Sequence, residues 1–411
     1  MGAVVSPLVR GPVRATERAL APDLARGLML LLIAVANTPW YLYGSEPGYS
    51  SIHPRDASAL DSLVQLVIIT TVDGRVYPMF AFLFGYGMVQ LYQRQTQAGT
   101  SDQAARRILR RRNWWLLVFG LVHAALLWMG DVLGAYGLAG LVMVALFFRR
   151  RDKTLIVWAA VAMSVLVLVM AFAIVGAVFV ARQPVTGEIP NFLALELETA
   201  AQTGYLASMV DRLQFWPLLV LVQGLATLVI PIALLLAFWA ARRQILERPG
   251  DHLVLLRRTA VVGISVGWLG GLPNALNHLG VLGVPDQVAW VFLATLGPTG
   301  LWGGLGYVAL FALVAHRISR RRATGVDRKV EAVTAVGRRS LSCYLAQSVI
   351  CAPVLSAWGL GLGAVLTSTT MALFALAVWL VTVVLADAAE RRRIRGPAEV
   401  LLRRLVYGRS G

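Results

Sequence analysis

The sequence predicts an all-α polytopic membrane helix bundle of about ten transmembrane helices, with the N and C termini cytoplasmic. Three observations predict it. The 411 residues are 58% hydrophobic and only 14% charged, whereas soluble domains are about 45–50% apolar and about 25% charged. Ten apolar runs approach the roughly 20 residues that cross a bilayer, and lipid offers a spanning backbone no hydrogen-bond partners, which favours helices. Basic residues collect between those runs, dense in one loop and sparse in the next.

The expected helices are 25–45, 77–93, 113–130, 132–149, 154–181, 214–240, 256–279, 288–315, 340–357 and 366–386. The run 63–72 is apolar but too short to span, and reads as an interfacial or re-entrant piece leading into the second helix. With the N terminus inside, the inner segments carry 34 of the 38 basic residues, and the outer ones only Arg55, Arg75, Arg182 and Arg212. Lys and Arg accumulate on the cytoplasmic side of membrane proteins, and an odd number of spans would destroy the alternation. The net charge of +17 therefore has a topological explanation, and the expected partner is the lipid bilayer, not nucleic acid.

The chain divides into a cytoplasmic N-terminal segment (1–24), a transmembrane helical domain (25–390) and a cytoplasmic basic tail (391–411). Residues 1–24 hold Arg10, Arg14 and Arg18 without an apolar core, so they do not read as a signal peptide. The longest outer loop, 182–213, is acidic and is expected to contain a short amphipathic helix. Cys343 and Cys351 stand about 12 Å apart along one helix, too far for a disulfide. No metal-type Cys/His cluster is present, so no metal is expected. Basic residues are almost all Arg, and Ala, Val, Gly and Leu abound. That composition suits a GC-rich bacterial genome, and hence the bacterial cytoplasmic (inner) membrane.

Polar groups inside a span are costly, so an ionisable one marks a candidate functional site. His123 lies near the middle of the third helix and Asn37 near the middle of the first. At 1.5 Å per residue both stand about 14–15 Å from the inner surface. Either they make interhelical hydrogen bonds, or they face one cavity in which an imidazole moves protons near neutral pH. Asp131 ends the third helix, about 12 Å from His123 on an unbroken helix and so out of contact. It either caps the fourth helix or binds substrate, and Tyr136 follows it.

In the segment 73–87, Pro78 suits the first turn of a helix, and Gly85 and Gly87 permit close helix packing. Arg75 either holds an anionic group on the outer side or pairs with Asp73. Ser340, Tyr344 and Gln347 form one polar stripe on the ninth helix. His53 and His278 fall at the outer face, and His252 and His316 in inner basic loops. The inner cluster RRILRRR (106–112) satisfies the topological rule, with nucleotide phosphates as the alternative ligand.

At these residues the chain resembles the YeiB-like family, catalogued as domain of unknown function 418. The resemblance is carried by PDLARGLMLLLIAVAN (22–37), HPRDA (53–57), RVYPMFAFLFGYG (75–87), FGLVHAALLWMGDVLGAYGLAGL (119–141), VGRRSLSCYLAQS (336–348) and RIRGPAEVLLRRL (393–405). Six motifs in order are specific. Val76 departs from the family's usual Phe, and Cys343 from a common Asn, which argues against a catalytic role at 343. The family is distantly similar to transmembrane acyltransferases such as the lysosomal heparan N-acetyltransferase, whose N-terminal helix carries an Asn matching Asn37. Their catalytic His follows in the next outer segment; His53 stands at a different spacing, and the role is not carried to it.

The resemblance implies acyl transfer from cytoplasmic acyl-CoA, acetyl-CoA among the candidates, to an amine or hydroxyl of a small molecule or glycan. His123 is then general base or transient acyl carrier, and Asn37 orients it or donates to the oxyanion. Asp131 completes the catalytic set, Arg75 and Tyr136 line the acceptor side, and Tyr344 and Gln347 line the site, Gln347 on the donor side. The rivals are a transporter or exporter with no chemistry, and a non-catalytic membrane partner of a biosynthetic enzyme. A homodimer is a candidate assembly.

Overall fold

A computed structural model describes residues 20–185, 188–321 and 327–408; the expected N-terminal segment lies, up to residue 19, outside them. Fifteen α-helices run through the described residues. In order they are α1 (Leu20–Asn37), α2 (Ala59–Thr71), α3 (Val76–Gln97), α4 (Asp102–Leu126), α5 (Val132–Leu146), α6 (Asp152–Val180), α7 (Phe192–Ala201), α8 (Tyr205–Leu221), α9 (Val229–Arg242), α10 (Leu253–His278), α11 (Trp290–Arg321), α12 (Arg328–Arg338), α13 (Ser340–Leu355), α14 (Ser368–Arg391) and α15 (Pro397–Tyr407). No strand occurs among the described residues, where one isolated bridge joins Pro47 and Pro54.

Seven of the described helical segments are long and apolar enough to cross a membrane, and α5, α9 and α13 are shorter apolar helices. Nine of the ten expected runs each overlap one helix. The apolar surface is turned outward on a scale that water does not tolerate in a monomer. Along α6, Trp158, Leu168, Phe172 and Phe179 are all exposed, Phe172 by 74%. The chain is a multi-pass, all-helical membrane protein.

At its centre α1, α3, α9 and α11 share one apolar core, with Met29, Leu30, Met79, Leu83, Leu234, Phe238 and Leu301 buried. The most extensive pair is α10 against α11. Gly267 makes that approach possible: a Cβ there would stand 2.7 Å from the Gly303 Cα, so only small residues let the two backbones meet.

One expected helix is corrected. The run 214–240 is not continuous but two helices, α8 and α9, separated by a π turn over Val222–Ala226 and by Leu228 at φ 58. Pro231 has no N–H to offer the carbonyl of Thr227 and so cannot extend the preceding ladder. The run 63–72 falls on α2 and its C-cap Val72; α2 spans about 20 Å, less than a bilayer core of about 30 Å, and packs on α10. The expected helix in the 182–213 loop is α7. Two amphipathic helices, α12 and α15, were not expected. They close the basic end of the bundle, α12 on α1 and α14, and α15 on α4 and α13.

Candidate functional site

The site begins with a reversal of the chain. α4 ends at Leu126, residues 127–130 turn, and Asp131 opens α5. The Asp131 carboxylate accepts hydrogen bonds from Leu133 N at 3.2 Å and Gly134 N at 2.7 Å. It thereby caps the helix, as a short acidic side chain with extended backbone does. Antiparallel packing of α4 on α5 brings this cap back to the last turn of α4. Gly120 is essential to the approach: a Cβ there would lie 2.2 Å from Asp131 Oδ2 and 2.3 Å from Gly134 N.

The consequence corrects the expected 12 Å separation. His123 Nδ1 stands 2.9 Å from Asp131 Oδ1, with both side chains buried. The straight-helix estimate fails because the turn folds Asp131 back instead of carrying it onward. A carboxylate only accepts, so Nδ1 is the ring nitrogen that donates, and in a neutral imidazole that leaves the lone pair on Nε2. That Nε2 is sealed from solvent and has no hydrogen-bond partner. Trp216 Nε1 reaches the other carboxylate oxygen at 3.4 Å.

Arg212 braces the end of α4. It donates to the carbonyls of Ala124 and Ala125, each at 2.9 Å, and to Ser208 Oγ at 2.5 Å. A cation on the last carbonyls of a helix satisfies groups that have no intrahelical partner. Neither Trp216 nor Arg212 was singled out by the sequence; a lone cation at the edge of an apolar run was the available signal.

Asn37 is the last residue of α1 and, with Thr38, Tyr41, Trp128, Tyr344, Gln347, Ser348 and Cys351, lines a cavity of about 20 Å³, room for about one water. Gln347 Nε2 donates to Leu30 O at 3.1 Å, tying α13 to α1, and its Oε1 is buried without a partner. His123 is not on this wall. The Tyr344 ring, 5.3 Å from the imidazole between centroids, borders the cavity and packs against His123. Equal depth along two helices did not give a shared wall, because α13 brings Tyr344 to both.

Tyr136 donates its hydroxyl to Tyr77 O at 2.7 Å. Aromatic rings run in a column from Phe84 through Tyr136 (5.7 Å), Phe80 (4.9 Å) and Tyr344 (6.3 Å) to His123. Arg75 is fully buried and donates to the carbonyls of Ile69 at 3.2 Å, Asp73 and Gly267. It pins α2, α3 and α10 and is not on the Asn37–Gln347 cavity. Nor does its guanidinium pair with the Asp73 carboxylate, which instead stands 3.4 Å from His53 Nε2. His278 lies against this pair, its ring centroid 6.4 Å from that of His53. Spacing gave no hint of this cluster.

At the basic end the last two sequence motifs meet. Glu399 of α15 accepts from Leu341 N at 2.9 Å and Ser342 N at 3.2 Å, and from the Ser342 hydroxyl, so it caps α13 from another helix. Arg339 donates to Ile394 O and pairs with Glu390 at 2.6 Å. Cys343 and Cys351 are buried free thiols. Among the described residues no group of three His, Cys, Asp or Glu side chains is arranged to hold a metal ion.

Comparison with known proteins agrees with these motifs. A family model described as protein of unknown function (DUF418) matches residues 240–409. The chain is 26% identical to the uncharacterized protein YxaH of Bacillus subtilis over 96% of each chain. It is 26% identical to the uncharacterized protein YeiB of Escherichia coli K12 over 96% of this chain and 98% of that one. A 39.9 kDa protein from the amylase 3′ region of Bacillus acidopullulyticus is 29% identical over 35% of this chain and 38% of its own length. No solved structure matches. The family model on the C-terminal part and two relatives aligned along nearly the whole length support a likeness of this chain to the YeiB-like DUF418 family.

Proposed function

We propose that this protein crosses the bacterial cytoplasmic membrane about ten times, with both termini in the cytoplasm, and transfers an acyl group from cytoplasmic acyl-CoA to an amine or hydroxyl acceptor. The observation that carries the reading is the buried His123–Asp131 pair, whose Nε2 is left as an unpartnered base. A thioester carbonyl is activated enough to be attacked, but a neutral amine or alcohol attacks well only as its proton leaves. The acceptor O–H or N–H donates to His123 Nε2 while its heteroatom bonds to the carbonyl carbon. The C–S bond then breaks, and the imidazolium returns the proton to the departing thiolate. Asp131 holds the imidazole in the required tautomer and stabilises the cation that forms. The Asn37 and Gln347 amides line the cavity bordered by Tyr344, and in this reading they supply the donor to the developing oxyanion. Tyr344 acts as the gate between that cavity and Nε2.

The test is turnover of acyl-CoA by the purified protein in lipid nanodiscs. His123→Gln preserves hydrogen bonding but carries no proton near neutral pH, and it is expected to lower the rate by about 10²–10⁴-fold. Full turnover with Gln at 123 makes His123 structural. The broken α8–α9 helix favours a second reading, since transporters place unwound helices at their solute sites. If the wild type neither binds nor hydrolyses acyl-CoA yet moves a solute in vesicles, transport replaces transfer.

A further inference from the structure

The basic end of the bundle holds a cation that the chemistry at His123 does not use. Arg112 lays its guanidinium over the Phe84 ring, 5.0 Å from the centroid. Its Nη1 is sealed from solvent and makes no hydrogen bond. The ion pairs found nearby do not include it: Asp23 is taken up by Arg26 at 3.3 Å and by Arg338 at 3.8 Å. The charge that acts on Arg112 most strongly is the like charge of Arg26. A topological preference asks only for cations in interfacial water. It does not ask for a guanidinium seated on an aromatic face with a donor left over. Burying a charged donor without an acceptor is costly, and the chemistry that offsets that cost is an anion.

We propose that Arg112, with Arg26 beside it and Phe84 beneath it, forms a phosphate-binding site at this end of the bundle. A guanidinium suits phosphate because its planar fork offers several donors at once and stays charged. Arg107, Arg110 and Arg111, exposed on the same helix, add the field that draws an anion in. The site also connects to the first one. Arg112 and His123 lie on α4 eleven residues apart, about 16 Å, and the column of rings from Phe84 to Tyr344 runs between them. A phosphate at Arg112 and a carbonyl at His123 are thus spaced for a nucleotide-linked thioester. Assigning the phosphate to the acyl donor rests on the acyl-transfer reading; the binding of phosphate does not.

The experiment uses the whole protein in phosphatidylcholine nanodiscs, with inorganic pyrophosphate as the free probe. In a second arm, vesicles containing phosphatidylglycerol distinguish a headgroup phosphate from a soluble one. Pyrophosphate is expected to raise the melting temperature of the wild type, with binding that weakens as salt screens the charge. Arg112→Met keeps an apolar stem on Phe84 and removes the charge, and is expected to weaken binding on the order of tenfold or more. Retention of phosphatidylglycerol by the wild type but not by Arg112→Met, with no pyrophosphate effect, assigns the phosphate to lipid and also supports the site. Equal binding of both probes by wild type and Arg112→Met overturns it, as does a wild type that binds neither. Should Arg112→Met fail to reach the membrane, Arg112→Lys is read instead. A several-fold loss is expected from removal of the fork, and unchanged binding overturns the site. His123→Gln, which tests the catalytic reading, is expected to bind pyrophosphate as the wild type does, so the two ideas fail separately.

Discussion

His123 Nδ1 and Asp131 Oδ1 meet at 2.9 Å across the turn that joins α4 to α5. One carboxylate therefore has two tasks: it caps α5 through Leu133 N and Gly134 N, and it fixes the tautomer of the imidazole. The two tasks predict two different failures.

Asp131→Asn keeps the shape of the side chain but replaces an acceptor-only group with one that also donates. Turnover is expected to fall on the order of 10²-fold or more, with the protein still folded. Asp131→Ala removes the cap as well and leaves the imidazole N–H unpaired, at a further stability cost of about 2–4 kcal/mol. Acyl-CoA turnover read beside thermal melting in detergent separates the two, and undiminished turnover in Asp131→Asn removes the carboxylate from the mechanism.

Gly120→Ala places a methyl group against Asp131 Oδ2 and Gly134 N. Gly134 N is backbone, and the Asp131 carboxylate is held by Leu133 N, Gly134 N and His123, so α5 has to shift. Overpacking of this kind costs about 1–3 kcal/mol and is expected to lower the melting temperature and turnover together. A variant as stable and as active as the wild type would show that the α4–α5 contact is looser than the structure places it.

Glu399→Ala strips α13 of an acidic cap supplied by another helix. The expected loss is about 1–2 kcal/mol, read as a lower melting temperature, while Glu399→Gln retains an acceptor and is expected to lose less. If the two variants melt alike and match the wild type, α15 does not support α13.

Glu196 gives a pH dependence. This half-buried carboxyl on α7 has its pKa raised to about 7, because burial disfavours the charged form. A group raised in the folded state favours folding fully below its unfolded value, near 4.5, and loses that contribution as pH rises through about 7. α7 is docked by Thr199 Oγ1 on Met129 Sδ, by Ala357 N on Ala200 O and by Asn191 on Pro47 O. Protection factors over 188–204, corrected for the intrinsic pH dependence of amide exchange, are expected to be lower at pH 8 than at pH 5.5, and Glu196→Gln is expected to abolish the difference. Equal protection factors in the wild type at both pH values contradict this.

For topology, single cysteines are placed at Gly99, Phe192 and Leu401 after Cys343 and Cys351 are replaced. An impermeant thiol reagent added to intact cells is expected to label position 192 alone. Labelling at 99 removes the ten-crossing arrangement.

Several features were written in the sequence because they depend on local rules. The apolar runs set the helices, since lipid leaves the backbone few alternatives, and the division of Arg between alternate loops set the expected order of crossings. The α7 helix and the lack of a Cys343–Cys351 bridge followed from spacing along a single element. The motifs also named His123, Asp131, Tyr344 and Gln347 as residues to watch. What the sequence left undecided was which of them touch.

The Asp131–His123 bond depends on a reversal of direction that spacing along an ideal helix does not contain. Asn37 and His123 share a depth but not a wall, because a third helix brings Tyr344 to both. Arg75 was read as an outer cation and is a buried clamp on three carbonyls. Pro231 was visible in the sequence, yet the π turn and left-handed Leu228 that accompany it required the packed neighbours of α8 and α9. Local sequence determines periodicity, local caps such as Asp131 on α5, and the charge of each loop. Contacts between residues far apart in the chain are decided by which helices pack together, and that choice is made by the close fit of small residues such as Gly120, Gly267 and Gly303 in the assembled bundle.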